Sequence, residues 1–162
     1  GTQLQIAEVW EEHYMMKLFN SYHEGAKESG ISANPHFSIG GMICMGHSEK
    51  EALDKARPTV AVYLPYLQTI LKNQGINPDD AIIQKIGQLS KEGKVSEAAK
   101  LIPDDIVKVL SLVGTPEQIA ERVKHLKSKV PISGLMFSPP YGVKDSIEKN
   151  IKFLKEDLLP LL

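Results

Sequence analysis

Histidine is the residue type in this chain best suited to acid–base or metal chemistry, and the 162 residues include five. None of the five shows a metal-binding spacing such as His-x-x-x-His with a flanking Glu. His13 and His125 fall on helical patterns, and we interpret them as surface or interface residues. His47 differs, because it follows an apolar strand pattern directly before a capped helix. Ligands of parallel α/β folds bind at that end of the strands, so His47 is a candidate ligand contact, with an ordinary surface histidine as the alternative.

A second candidate is the Ser-Pro-Pro-Tyr-Gly segment at residues 138–142, which follows another apolar strand pattern. Its hydroxyl and aromatic side chains could wall a pocket, or the segment could simply turn the chain, and the sequence leaves both open. Gly40 and Gly41 are not a nucleotide fingerprint, because no third glycine opens a helix after them. We interpret this pair as a packing bulge. The sequence contains no recognisable nucleophile–base pair or carboxylate dyad.

Two predicted strands, residues 37–45 and 133–138, position these candidates. Each strand is followed by a short loop and a helix. Capping boxes open two of the helices, at Ser48 with Glu51 and at Thr115 with Gln118. Apolar strands that alternate with helices indicate an α/β fold with a parallel sheet. Because two strands alone do not form a stable sheet, we expect either further strands from elsewhere or helices that cover both faces.

About six helices account for most of the remaining chain. Residues 4–29 show a four-residue apolar spacing and predict a first helix. A long helix over residues 48–71 contains Pro58 and Pro65, which predict that it is kinked or split. Three shorter helical patterns follow over residues 77–113, and a last helix begins at Asp145.

Composition restricts the function classes. The net charge of −1 and the interleaved acidic and basic residues argue against a nucleic-acid surface. The single Cys44 excludes an internal disulfide and predicts a buried thiol in a reducing compartment. The sequence shows no apolar run long enough to cross a membrane and no secretory leader, so we expect a cytoplasmic protein. We expect one domain over residues 1–162, and a start at Gly-Thr-Gln suggests a cloning scar, a processed chain or a piece of something longer.

A set of motifs in fixed order resembles a known family. The Gly-Thr-Pro-Glu element at residues 114–117, with its distance to the closing Leu-Pro, is the most specific of them. Together the motifs resemble the carboxyl-terminal part of the bacterial luciferase-like superfamily over roughly residues 35–162. Within it they most resemble methylenetetrahydromethanopterin reductases, which use the deazaflavin coenzyme F-420. The motifs lie at residues 47–58, 102–107, 113–119, 134–140 and 158–162.

The resemblance implies part of a (β/α)8 barrel, a fold that typically needs about 250 residues. This chain matches only the last two βα units, and the family's amino-terminal strands, which bear much of the deazaflavin site and its catalytic acids, have no counterpart. The resemblance therefore implies hydride transfer in the parent family and an isolated chain without a complete site. It assigns no catalytic residue and no metal. The residues that match positions at the family's active-site mouth are predicted cofactor contacts: Gly46, His47, Ser138, Pro139 and Tyr141.

The partners expected from this resemblance follow from the incomplete barrel. We expect either the remainder of the barrel or a second copy of the chain to cover the exposed sheet edge. We expect no nucleic acid and no membrane as partners. The alternative function is a non-catalytic, oligomerising module that descends from such a barrel.

Overall fold

Four parallel strands form one sheet in the computed structural model, which describes residues 4–7, 9–73, 75–139 and 147–162. The central strand is β2, and it pairs with each of the other three. β1 and β4 both pair with the first half of β2, so they must lie on its opposite edges, whereas β3 pairs with its last four residues. The strands are β1 (Leu4–Ala7), β2 (Phe37–Met45), β3 (Ser111–Gly114) and β4 (Ile132–Ser138).

Seven α-helices are present in the described part of the chain, and a further helical segment ends it. The last helix, α7, continues without interruption into a π turn at Leu154–Leu158 and a 3-10 turn at Leu159–Leu161. The helices are α1 (Glu12–Glu28), α2 (Glu49–Asn73), α3 (Asp80–Lys91), α4 (Val95–Ala99), α5 (Asp104–Leu110), α6 (Pro116–Lys129) and α7 (Ile147–Phe153). None of the helices in the described ranges is both long and apolar enough to span a bilayer.

The two predicted strands are confirmed as β2 and β4, which lie side by side and run in the same direction. Two other predictions are wrong. Residues 4–7 are the strand β1 rather than the start of a helix, because Leu4 and Ile6 alternate toward one side of the sheet and pair with β2. The helix predicted to reach residue 113 ends at Leu110, and the next four residues form β3, whose Ser111 is fully buried.

The long helix α2 runs through both prolines and is not split. Pro65 has no N–H, so in a helix it leaves the Ala61 carbonyl without its usual donor. The Ser90 hydroxyl of α3 donates to that carbonyl at 3.3 Å. The Pro65 ring also packs against Gly87, where an added Cβ would lie 3.5 Å from the proline Cγ. The neighbouring helix therefore compensates for the lost hydrogen bond.

Two apolar clusters cover the two faces of the sheet. On one face α2, α3, α4 and α5 pack over Met42 and Cys44. On the other face α1, α6 and the carboxyl-terminal segment pack over Ile39 and Ile43. The buried position of Cys44 confirms the sequence prediction. In the carboxyl-terminal segment Leu158 is buried, whereas Ile151 is 56% exposed and does not share its face.

Candidate functional site

A cleft of about 590 Å³ opens at the carboxyl edge of the sheet. Its floor is the end of β2 and its first residues beyond, Gly46 and His47. The start of α6 forms one wall, Lys55 of α2 contributes to another, and the carboxyl-terminal helix closes the remaining side. Since ligands of parallel α/β folds bind at this edge, the cleft is the candidate site.

Glycine is required where β2 and β3 end. The Gly46 N–H donates to the Gly114 carbonyl at 3.1 Å and joins the two strand ends. An added Cβ at Gly46 would lie 2.8 Å from the Ala52 nitrogen and 2.9 Å from the Ser48 carbonyl oxygen, which are backbone atoms. Gly114 has a φ of 145°, a conformation that favours glycine. The backbone therefore turns tightly at the ends of both strands, directly below the cleft.

His47 is held by its backbone, and its side chain is exposed. The His47 N–H donates to Glu51 Oε2 at 2.9 Å, while the Glu51 N–H donates to Ser48 Oγ at 3.2 Å. The predicted cap at Ser48 and Glu51 is thus present, although the glutamate reaches one residue further back than in a standard capping box. The imidazole ring centroid lies 6.3 Å from that of Phe153 at an interplanar angle of 33°. Together these two rings form an aromatic wall of the cleft.

The capping box at the start of α6 is confirmed. The Gln118 N–H donates to Thr115 Oγ1 at 3.4 Å, and the Thr115 N–H donates to Gln118 Oε1 at 2.9 Å. The Thr115 hydroxyl also donates to Glu117 Oε2 at 2.7 Å, and this bond lowers the pKa of the Glu117 carboxyl. The carboxylate of Glu117 therefore already occupies the positive end of this helix.

Charges in the cleft are balanced between three lysines and three carboxylates. Lys55 Nζ lies 2.6 Å from Glu51 Oε1, and the hydrogen bond from Lys55 is the main reason that the Glu51 pKa is lowered. Lys152 Nζ lies 3.8 Å from Glu156 Oε2. The lowered pKa keeps the Glu51 carboxyl ionised at neutral pH, so its oxygens accept hydrogen bonds and donate none. The charged residues that line the cleft are Lys55, Lys149, Lys152, Glu117, Glu156 and Asp157.

Two histidines outside the cleft, His125 and His13, lie on helix surfaces. His125 Nε2 lies 3.1 Å from Glu12 Oε2, so His125 bridges α6 and α1 at the surface, as its helical position predicts. His13 is exposed on α1. Among the described residues, no group of three or more His, Cys, Asp or Glu side chains is arranged to hold a metal ion.

The predicted cofactor contacts divide into two groups. Gly46 and His47 line the cleft. Ser138 ends β4 opposite Met42, three residues before the end of β2, which corresponds to about 10 Å along the strand. Ser138 and the following Pro139 are not among the residues that line the cleft. Tyr141 lies outside the described residues, and the role of the Ser138–Pro139 segment stays a prediction.

Sequence reasoning missed most of the cleft walls. Lys55 lies one helical turn after Glu51 on the first helix past the floor, so its place could have been found from the capping pattern. Phe153 and Lys152 come from a helix about a hundred residues later, and no local signal relates them to His47.

Arg122 is a further residue that sequence reasoning missed, and it holds together backbone segments beside the sheet. Its guanidinium donates to three carbonyls, those of Ser111 at 3.1 Å, Trp10 at 2.8 Å and Lys108 at 2.7 Å. Burial lowers the pKa of this group. The side chain thereby ties the segment after β1 to the turn between α5 and β3. The Trp10 N–H adds a backbone bond to the Val109 carbonyl at 2.9 Å.

Comparison with known proteins gives consistent matches. Residues 4–131 match the family model described as luciferase-like monooxygenase, so the match begins upstream of the first sequence motif. The 5,10-methylenetetrahydromethanopterin reductase of Archaeoglobus fulgidus is 24% identical over 116 residues, which are 67% of this chain and 34% of that protein. The reductase of the same name from Methanopyrus kandleri is 22% identical over 142 residues, 85% of this chain and 38% of that protein.

A solved structure shares the fold. The coenzyme F-420-dependent tetrahydromethanopterin reductase from Methanopyrus kandleri superposes on 96% of this chain and 44% of its own, with a TM-score of 0.71 and 17% sequence identity. The predicted fold class, a helix-rich α/β structure that corresponds to part of a (β/α)8 barrel, is therefore confirmed. The chain spans less than half the length of each of these relatives.

Proposed function

Because the chain belongs to the luciferase-like monooxygenase family, we propose that it is the carboxyl-terminal part of a deazaflavin-dependent oxidoreductase. The parent enzyme would transfer hydride between reduced coenzyme F-420 and a methylene-tetrahydropterin. The observation that carries this proposal is the superposition of nearly the whole chain on the F-420-dependent reductase. The cleft at the carboxyl edge of the sheet supports it, since that edge bears the active sites of barrel enzymes.

The residues present fit part of such a cofactor. A cleft of about 590 Å³ is in the range of small-ligand sites. The rings of His47 and Phe153 offer an aromatic wall for a flat ring system. Lys149 and Lys152 offer cations for anionic groups on the same ligand. The Glu117 carboxylate at the start of α6 opposes a phosphate there, which directs the anionic end of the ligand toward the lysines of the last helix.

In this proposal the chain binds and orients, while the bound deazaflavin supplies the hydride chemistry. Gly46 permits the close turn between β2 and the start of α2 that places His47 beside the cleft. His47 and Phe153 pack against the ring and exclude water from one side. The lysines fix the direction of the ligand. Ser138, Pro139 and Tyr141 remain proposed contacts on the adjacent strand end.

The site also needs partners, because the sheet is open. Among the described residues the outer edges of β1 and β4 have no strand partner, and eight strands are required to close this type of barrel. We propose that the remaining strands, from the rest of the barrel or from a second copy, pair with these edges. A cytoplasmic, reducing location belongs to the same proposal and agrees with the buried position of Cys44, the single cysteine of the sequence.

A hybrid enzyme tests the cofactor proposal. This chain would replace the corresponding part of the Methanopyrus kandleri reductase, and coenzyme F-420 binding would be followed by absorbance and fluorescence titration. We expect stoichiometric binding by the hybrid, weaker binding when His47→Ala is introduced, and unchanged binding with the surface control His13→Ala. A folded hybrid that does not bind contradicts the cofactor proposal. Tight binding by the isolated chain contradicts the proposal that the site is incomplete.

The second candidate, a non-catalytic oligomerising module, is favoured by the same open strand edges. Light scattering over a wide concentration range distinguishes it from a chain that needs other strands. A stable dimer of the isolated chain, together with a hybrid that fails to bind coenzyme F-420, would support the module. A monomer at high concentration would count against it.

A further inference from the structure

The carboxyl-terminal helix changes its geometry beside the cleft. After α7, the Leu159 N–H donates to the Leu154 carbonyl, five residues back, which defines a π turn. An α-helix places this bond four residues back, so the turn holds one residue more than a regular helix. Such turns occur frequently at functional sites.

The surplus residue lies between Phe153, which lines the cleft, and Leu158, which packs in the core. Leu158 has no exposed surface and packs in the cluster beneath α6. Phe153, before the turn, packs beside His47 in one wall of the cleft, and Lys152 lines the same cleft. Each residue of an α-helix turns it by about 100°. If this segment were regular with Leu158 in place, Phe153 and Lys152 would rotate by about that angle, away from their present positions.

Pro160 supplies a local reason for the irregular turn. In a regular helix its ring would clash with the Glu156 carbonyl, four residues back, and no N–H would satisfy that carbonyl. The chain instead widens over Leu154–Leu158 and then tightens into the 3-10 turn that contains Pro160.

We propose that the π turn is the positioning element of the cleft: its one surplus residue lets Leu158 anchor the helix in the core while Phe153 packs beside His47 and Lys152 lines the cleft. This inference rests on the geometry of the cleft and does not depend on which ligand binds there. It makes a specific statement about chain length. Removal of one residue inside the turn should leave Leu158 in the core and Phe153 and Lys152 in the cleft. Addition of one residue should rotate Phe153 and Lys152 out of the cleft.

Crosslinking tests this statement without a ligand. The full chain with His47→Cys and Phe153→Cys would be treated with a short bismaleimide, and crosslinked tryptic peptides would be measured by mass spectrometry. The control pair combines His47→Cys with Ile151→Cys, because Ile151 is exposed and does not line the cleft. Each pair would be prepared in the natural chain, in a chain lacking the exposed Lys155, and in a chain with one Ala inserted after Lys155.

We expect the 47–153 crosslink in the natural chain and in the deletion chain, and its loss to the level of single-cysteine controls in the insertion chain. The 47–151 pair should give no crosslink in the natural chain. Loss of the 47–153 crosslink in the deletion chain, or an unfolded deletion chain by circular dichroism, overturns the proposal. Retention of that crosslink in the insertion chain overturns it as well, since the turn would then be a spacer of arbitrary length.

Discussion

Arg122→Ala is the substitution that should loosen the carboxyl side of the sheet most. The change removes three hydrogen bonds from a charged donor to the carbonyls of Trp10, Lys108 and Ser111. Bonds to charged groups contribute about 1.5–3 kcal/mol each. The three share one side chain, and water can reach part of the vacated space. The expected loss is therefore about 3–4 kcal/mol rather than the full sum.

Urea and thermal unfolding measure this loss. For a chain of this length, 1 kcal/mol corresponds to about 2–4 °C in Tm, so we expect Tm to fall by about 6–16 °C. The stability of Arg122→Lys should lie between those of the natural chain and of Arg122→Ala, because a single ammonium cannot reach all three carbonyls that the guanidinium contacts. The exposed neighbour Lys124→Ala is the matched control, with a change below about 0.5 kcal/mol.

Trp10 gives a local readout of the same change. It is the only tryptophan of the chain and is 2% exposed. If Arg122 holds the segment after β1, the fluorescence emission of Trp10 in Arg122→Ala should shift to the red at urea concentrations below the global unfolding transition. Stability within about 1 kcal/mol of the natural chain, together with unshifted emission, would refute the assignment of a fastening role to Arg122.

Three further predictions concern the edge of the cleft. Gly46→Ala should lower the free energy of unfolding in urea by about 1–3 kcal/mol, because the new Cβ meets backbone atoms. Gly25→Ala in α1 is the control and should be neutral or stabilising, because a Cβ there has no neighbour within 4 Å. Equal effects of the two substitutions would contradict the tight turn at Gly46. Thr115→Ala should lose about 1 kcal/mol through its cap, and Thr115→Ser should recover most of it in the same assay. The Glu51 pKa is lowered below its ordinary value of 4.5. The ionised Glu51 carboxylate therefore stabilises the fold above pH 4.5, and this contribution decreases as the pH falls through the pKa of the folded state. If the urea midpoint of Glu51→Gln depends on pH as strongly as that of the natural chain, this carboxyl is not the source of the pH dependence.

The two longer strands, β2 and β4, could be predicted from the sequence, and the two short ones could not. β2 has seven consecutive buried residues from Ile39 to Met45, a pattern that no surface helix shows. β1 and β3 have four residues each, and their extended form depends on pairing with β2, which lies far away in sequence. Local spacing around Ile6 fits a helix as well as a strand, so tertiary pairing decided the outcome.

Some residues of the candidate site could likewise be predicted from the sequence, whereas others depend on tertiary packing. Gly46 and His47 follow from the rule that functional residues stand at strand ends. The aromatic wall requires Phe153 to meet His47, and that contact depends on how the carboxyl-terminal helix packs under α6. The fastening role of Arg122 depends on three backbone carbonyls from separate segments. Neither arrangement leaves a periodic signal in the sequence.

The open edge of β4 leaves one large apolar side chain of the sheet for an added strand to cover. Connecting helices pack on both faces of the sheet, α1 and α6 on one and α2 to α5 on the other. Met136 of β4 is nevertheless 52% exposed. In the proposed barrel a further strand would pair with the outer edge of β4 and lie beside Met136.

Met136→Lys therefore separates the isolated chain from the completed barrel. In the isolated chain the side chain is half exposed, so the change should alter unfolding stability by less than about 0.5 kcal/mol. In the hybrid enzyme the added strand would bury the same position, and an unpaired lysine there should lower Tm and coenzyme F-420 binding together. Ile151→Lys is the matched control, because Ile151 is similarly exposed at 56% and lies on the last helix rather than in the sheet. Equal tolerance of both substitutions in the hybrid would mean that no strand covers the edge of β4, and the half-barrel interpretation would fail with it.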